Sequence, residues 1–285
     1  MASYNEKSAI DNGWSPEHFG CDDFGAELKA AIMQFQDAHN LTADGLCGEK
    51  TVAVLLKSNH PLSKKSTLPC HSSAVPIDWD NILLWNQENG LKSTKYRKKY
   101  DRKPRLIIVH WDAALSSKSA FSTLERRGLS SHYLIDNDGC IICTVNPTHT
   151  AWHAGNSNNY SIGIEVSNAY YPKYQQKYVS MGFGERPIIK GAMVHGKKMR
   201  DHTGFYPVQL EALKALIATL CQHYDIPLDT PQHEDGTPIT TVYSPAFKDY
   251  RGVVHHLHVS ANKIDAASLN LVELIDDIKK KSLNK

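Results

Sequence analysis

Residues 251–265 read Arg-Gly-Val-Val-His-His-Leu-His-Val-Ser-Ala-Asn-Lys-Ile-Asp, so three histidines, a lysine and an aspartate follow one apolar pair. Neutral imidazoles and carboxylates are ligands that zinc takes, and a catalytic zinc keeps three protein ligands and one open position. The stretch is therefore a candidate metal centre, in which His255, His256 and His258 compete for one ligand position and Asp265 offers a carboxylate. Lys263 and Asp265 are two residues apart, so on extended backbone both side chains face one cavity. Two upstream residues can complete such a centre. His110 ends the apolar run Leu106-Ile107-Ile108-Val109, and Glu165 lies between Ile164 and Val166. Burial there would raise the pKa of Glu165 unless it is paired, which suits a general acid or base near neutral pH. Taken singly, each of these residues would be an ordinary structural histidine, a core carboxylate or a solvated lysine. Their joint occurrence makes the case.

These residues need elements to bring them together. Leu106–Val109 has the continuous apolar character of a strand buried on both faces, and α/β sheets build their sites in the crevice at strand ends. Ser117 to Arg127 reads as a helix. His132–Ile135 reads as a strand that Asn137-Asp138-Gly139 turns back into Cys140–Val145, and Ser161–Val166 is a third strand. Residues 170–206 read as an irregular insertion, too long for a connector and suited to rim a cleft. Pro207 to Tyr224 is the clearest helix, with Leu210, Leu213, Leu216, Ile217 and Leu220 on one stripe, and a last helix runs from about Leu269 to Lys281. Cys140 and Cys143 point to opposite faces of a strand and lack a second ligand pair, so they read as core thiols. The basic run from Lys92 to Arg105 reads as a solvated face.

The motifs Ile108-Val109-His110-Trp111, Ser130-Ser131-His132-Tyr133-Leu134-Ile135, Trp152-His153-Ala154-Gly155, Ser161-Ile162-Gly163-Ile164-Glu165, and His256 with Lys263-Ile264-Asp265 occur in this order over residues 80–280. In that order they resemble the zinc-dependent N-acetylmuramoyl-L-alanine amidases, the family that includes phage lysozyme-amidases and peptidoglycan recognition proteins. The resemblance implies Zn2+ held by His110, His256 and Asp265, with Glu165 as general acid/base and Lys263 stabilising the oxyanion. It further implies substrate contacts from Trp152, His153 and Asn168, with His153 open between a substrate contact and a packed neighbour of Trp152. The implied reaction is hydrolysis of the amide between N-acetylmuramic acid and L-alanine; a non-catalytic peptidoglycan-binding protein is the alternative. The family's usual Asp-Pro-Gly is Asp265-Ala266-Ala267 here, and some relatives carry tyrosine at the position of Ser131.

Upstream, Gly25–Leu41 and Gly48–Lys57 read as helices around the Asp44-Gly45 turn. Phe35-Gln36, Asn40-Leu41, Asp44-Gly45-Leu46, Gly48, Thr51 and Leu55 resemble the small three-helix peptidoglycan-binding domains, with the first helix short or degenerate. The expected fold class is α/β, a mixed central β-sheet flanked by helices, preceded by a small all-α three-helix domain. The expected domains are 1–58 for the binding module and 79–285 for the catalytic domain, joined by a Pro/Ser/Lys-rich linker at 59–78.

With 32 Lys and Arg against 30 Asp and Glu, the net charge is +2, which gives no case for a nucleic-acid partner. Six cysteines without small-domain disulfide spacing agree with a reducing compartment. The polar N-terminus lacks the apolar core of a secretory signal, so the expectation is synthesis in the cytoplasm and action on the cell wall after release. A phage endolysin and a secreted antibacterial effector both fit that route. Holin or secretion machinery and an immunity protein are the partners it would bring, besides peptidoglycan itself, and the chain is taken as a monomer.

Overall fold

The computed structural model describes residues 3–56, 66–70 and 73–283. Helix α1 spans Tyr4–Asn12, where Ser3 and Glu6 form a capping box and Gly13, at φ 70°, supplies the left-handed C-cap. At nine residues the first helix of the module is short, one of the two expected outcomes, and it is fully formed and not degenerate. Helices α2 (Ala26–Ala38) and α3 (Glu49–Leu55) follow, and Trp14, Leu28, Ile32, Phe35, Val52 and Leu55 close a small core of their own. Gln36 ties the Asp-Gly turn to α3. Its amide donates to Asp44 Oδ1, Leu46 O and Thr51 Oγ1 at 2.9–3.1 Å and accepts from Gly45 N at 2.9 Å.

Of the span expected as a linker, residues 59–65 and 71–72 lie outside the described residues. The rest departs from the expectation. Thr67–Cys70 pairs antiparallel with Ser73–Pro76, and Leu68, Cys70 and Ile77 are buried in the main core. Apolar side chains at alternate positions, not the Pro/Ser content, decide the local structure there.

The main sheet holds β1 (Ile82–Leu83), β2 (Leu106–Trp111), β3 (Tyr133–Ile135), β4 (Ile141–Cys143), β5 (Ser161–Val166) and β6 (Gly252–His255). Their spatial order is β6-β2-β5-β3-β4-β1, with β3 and β4 antiparallel and every other pair parallel. The chain is therefore α/β with a mixed central sheet. Helices α6 (Pro207–His223) and α8 (Leu271–Leu283) cover one face, packing on Ile107, Val109, Ile162 and Ile164. The other face carries Leu106 and Ile108 towards Val254, while α4 (Ser117–Arg126) packs on Leu134 and Ile142. Side chains alternate across a strand, so His110 falls on this second face with Leu106 and Ile108.

Two expectations about surface and core change. Arg102, read as part of a solvated basic face, is 4% exposed. Its guanidinium donates to the carbonyls of Asn159, Pro147, His149, Asn158 and Ser161, which turns the 147–161 loop around it. Cys143 is buried as expected, whereas Cys140 is half-buried just before β4, and both thiols are free. The 170–206 insertion is more ordered than its composition suggested. It holds α5 (Gln175–Ser180) and two antiparallel ladders, Ile188–Ile189 with His202–Thr203 and Met193–Val194 with Lys197–Lys198. Among the described residues no helix is long and apolar enough to cross a membrane.

Candidate metal centre and active site

Strands β2 and β5 run parallel with His110 opposite Glu165 and Ile108 opposite Gly163. In-register partners project to the same side, so the second face of the sheet presents His110 and Glu165 together at its C-terminal edge. Strand β6 lies on the other side of β2 and ends at His255. The single turn α7 (His256–Val259) then brings His256 over the strand end, and the loop beyond it returns Asp265 to the same place. The backbone fixes that return: Leu257 N donates to Asp265 O at 3.0 Å.

Among the described residues, His110, His256 and Asp265 form the group whose ligand atoms converge within 4.8 Å. His110 Nδ1 lies 2.9 Å from His256 Nδ1 and 3.1 Å from Asp265 Oδ2, and His256 Nδ1 lies 2.9 Å from Asp265 Oδ2. All three side chains are buried. His255 and His258 point elsewhere. His258 Nδ1 accepts from His255 N at 3.1 Å, and its Nε2 donates to Ile239 O at 2.6 Å.

The hydrogen bonds behind His110 decide which of its nitrogens carries the proton. Ser161 Oγ donates to Ser157 O at 2.7 Å, so it accepts from His153 Nε2 at 3.2 Å. His153 Nδ1 is then an acceptor and receives His110 Nε2–H at 3.0 Å. That leaves a lone pair on His110 Nδ1, aimed at His256 and Asp265. Burial, with His256 beside it, pushes His110 down to about 4, so the ring is neutral at physiological pH. Burial works the other way on Asp265, but the two imidazoles beside it outweigh burial and hold the carboxyl well below its usual range. Two lone-pair atoms, on a neutral imidazole and an ionised carboxylate, thus face each other at 3.1 Å. A cation between them relieves that repulsion, and the donor set fits zinc.

The surrounding cavity, about 220 Å³, is lined by His110, Trp111, Glu165, His256, Lys263 and Asp265 on one side, with Trp152 and His153 beside them. Its other wall is α4, through Thr123, Leu124 and Arg127 at the helix end, which no sequence signal marked. Glu165 is 7% exposed, and burial first, then the negative charges of Asp265 and Asp112, raise its pKa well above the carboxylate range. Asn168 does not contribute. It is fully buried, donating its amide to Thr203 O at 2.7 Å while its Oδ1 accepts from Thr203 Oγ1 at 2.7 Å and Tyr170 N at 2.9 Å. The expected substrate contact is a brace for the insertion.

Residues 100–267 match the family described as N-acetylmuramoyl-L-alanine amidase, more than half of the chain. The chain belongs to this family. Its activity is cleavage of the amide between N-acetylmuramic acid and the L-alanine of the stem peptide. Residues 12–55 match a peptidoglycan binding domain, so the amidase carries its own module for the polymer it cuts. None of the curated proteins matches the amidase. Among solved structures, it is 18% identical to AmpD, covering 70% of this chain and 95% of that one at a TM-score of 0.40. It is 21% identical to AmpDh3 from Pseudomonas aeruginosa, solved with an anhydromuramic pentapeptide, covering 66% of each chain at 0.39. With the N-acetylmuramoyl-L-alanine amidase LysC from Clostridium intestinale the values are 16%, 72%, 99% and 0.40.

Proposed function

We propose that this amidase is zinc-dependent, with His110, His256 and Asp265 holding the metal, Glu165 moving the proton and Lys263 balancing developing negative charge. One observation carries the reading. The lone pair of His110 Nδ1, His256 Nδ1 and the Asp265 carboxylate meet at 2.9–3.1 Å in a cavity that Glu165 and Lys263 also line. Zinc bound there supplies Lewis acidity, which acidifies the attacking water and polarises the scissile carbonyl. Glu165 takes the proton of that water and returns it to the leaving nitrogen, so the L-alanine amine departs neutral. Its burial favours the protonated carboxyl, which is the form needed for the second transfer. The Lys263 ammonium offsets negative charge on the former carbonyl oxygen. Trp152 and His153 also line the cavity, which supports a substrate contact for them, and His153 orients His110. Residues 1–58 hold the polymer while 79–285 cut it, which raises the local substrate concentration without changing the chemistry.

Digestion of purified sacculi tests the reaction. Stem peptides with a free L-alanine amine are the expected product, and muramyl-peptide fragments or free D-alanine in their place would refute it. Metal analysis tests the centre separately. Purified His110→Ala should carry substantially less zinc than wild type, and an unchanged zinc content would remove His110 from the ligand set.

A further inference from the structure

The ladder of Met193–Val194 with Lys197–Lys198 is closed by the two-residue turn His195-Gly196, with φ of 50° and 74°. Positive φ at both central positions marks the tight primed hairpin turn, for which Asn-Gly is the preferred sequence. A non-glycine residue at positive φ is uncommon, and histidine is among those that adopt it more readily. His195 Nε2 lies 2.9 Å from the carbonyl oxygen of Lys263, 68 residues away, and donates to it. The tip of the hairpin is held where it can do this. Val194 is buried, and His195 N donates to Thr240 O at 3.0 Å. The neighbouring carbonyl of Ile239 accepts from His258 Nε2 at 2.6 Å, so the 239–240 segment is tied to α7 as well.

We propose that His195 is a positioning residue for the hydrolysis: the insertion hairpin braces the Lys263 backbone and so sets the ammonium over the cavity. The proposal rests on the role given to Lys263 above. Lys263 is exposed, and its long stem leaves the ammonium free to wander unless its backbone is fixed. Its own amide makes only a local bond, to Ser260 O at 3.2 Å. The His195 bond is the long-range restraint on this residue, and it comes from the part of the chain inserted between β5 and α6.

The discriminating variants are His195→Asn and His195→Gln. Asparagine suits the turn better than histidine, so the fold is retained, but its amide is too short to reach Lys263. Glutamine reaches. His195→Asn should lower kcat about three- to tenfold, the scale of one partly exposed hydrogen bond, with KM, zinc content and Tm unchanged. His195→Gln should recover most of the loss. In a Lys263→Met background His195→Asn should have no further effect, because the brace acts only through the lysine. Wild-type kcat in His195→Asn, an equal loss in both backgrounds, or a loss that tracks zinc content would each overturn the proposal. If Lys263→Met alone keeps wild-type kcat, the role of Lys263 fails first and the brace has nothing to position; that result is read from the single variant.

Discussion

His110 and His153 are joined at 3.0 Å through the His110 nitrogen that does not meet Asp265. The contact exists because residue 163, beneath it on β5, is glycine. A Cβ there would stand 2.6 Å from His153 Cγ and 2.8 Å from Ser131 Oγ, closer than side-chain atoms approach. Gly163→Ala should therefore push the His153 ring off His110 and free the His110 tautomer. Zinc affinity, measured by competition with a chelator, should fall about 10- to 100-fold, as when the partner of a ligating histidine is lost. Wild-type affinity in Gly163→Ala would show that His153 does not orient His110.

Glu165→Gln retains shape but removes the proton acceptor. The expected loss in kcat is about 10²- to 10⁴-fold with zinc content and Tm preserved. A drop in metal content to match would mean that Glu165 supports the ligands instead of moving a proton.

Arg102 is a stability residue in a position that looks basic and superficial in sequence. Arg102→Lys keeps the charge but cannot serve five carbonyls with one ammonium, so buried acceptors around residues 147–161 lose their donors. Urea unfolding should show a loss of about 2–3 kcal/mol or more. A change under about 0.5 kcal/mol, the range of an ordinary surface substitution, would contradict the burial.

Asp11 predicts an acid limit for the docking of the module. It faces His149 at 3.1 Å, Lys98 at 2.5 Å and Tyr100 at 3.5 Å, while its carbonyl accepts from Lys92 at 2.8 Å. Burial pushes its carboxyl up, but the hydrogen bonds and charges of His149 and Lys98 prevail and hold it below its ordinary value. A depressed carboxyl stabilises the fold at pH above the unfolded value and loses that stabilisation as pH falls through the folded one. Lys98 is more than half exposed, so Asp11→Asn should cost only about 0.5–1 kcal/mol at pH 7. The difference between variant and wild type should shrink as pH falls below the usual carboxylate range. A difference that persists there would assign Asp11 a role independent of its charge.

The parts legible in the sequence were those that apolar pattern dictates. Leu106–Val109 and Ser161–Val166 read as strands because both faces are buried, and their strand-end residues His110 and Glu165 fell on one face by simple alternation. Helix α6 announced itself through Pro207 and its leucine stripe. What the sequence hid depends on tertiary partners. Nothing local separates Arg102 from the lysines around it, since its acceptors arrive from a loop more than forty residues away. Asn168 looked available because an amide's engagement is invisible without Thr203 opposite. The pairing within 188–203 rests on two-residue ladders too short to leave a periodic signal, so His195 could not be connected with Lys263. The choice of His256 over His255 turned on one residue of register at the end of β6.

The contacts around Asp11, with Asn86 donating to the carbonyls of Asn12 and Gly13, have a mechanical meaning for an enzyme that works on a meshwork. A module fastened at several points cannot search the volume that a loose tether would sweep. Fastened in this way, the module keeps a constant distance to the cavity, where a loose tether would let that distance vary.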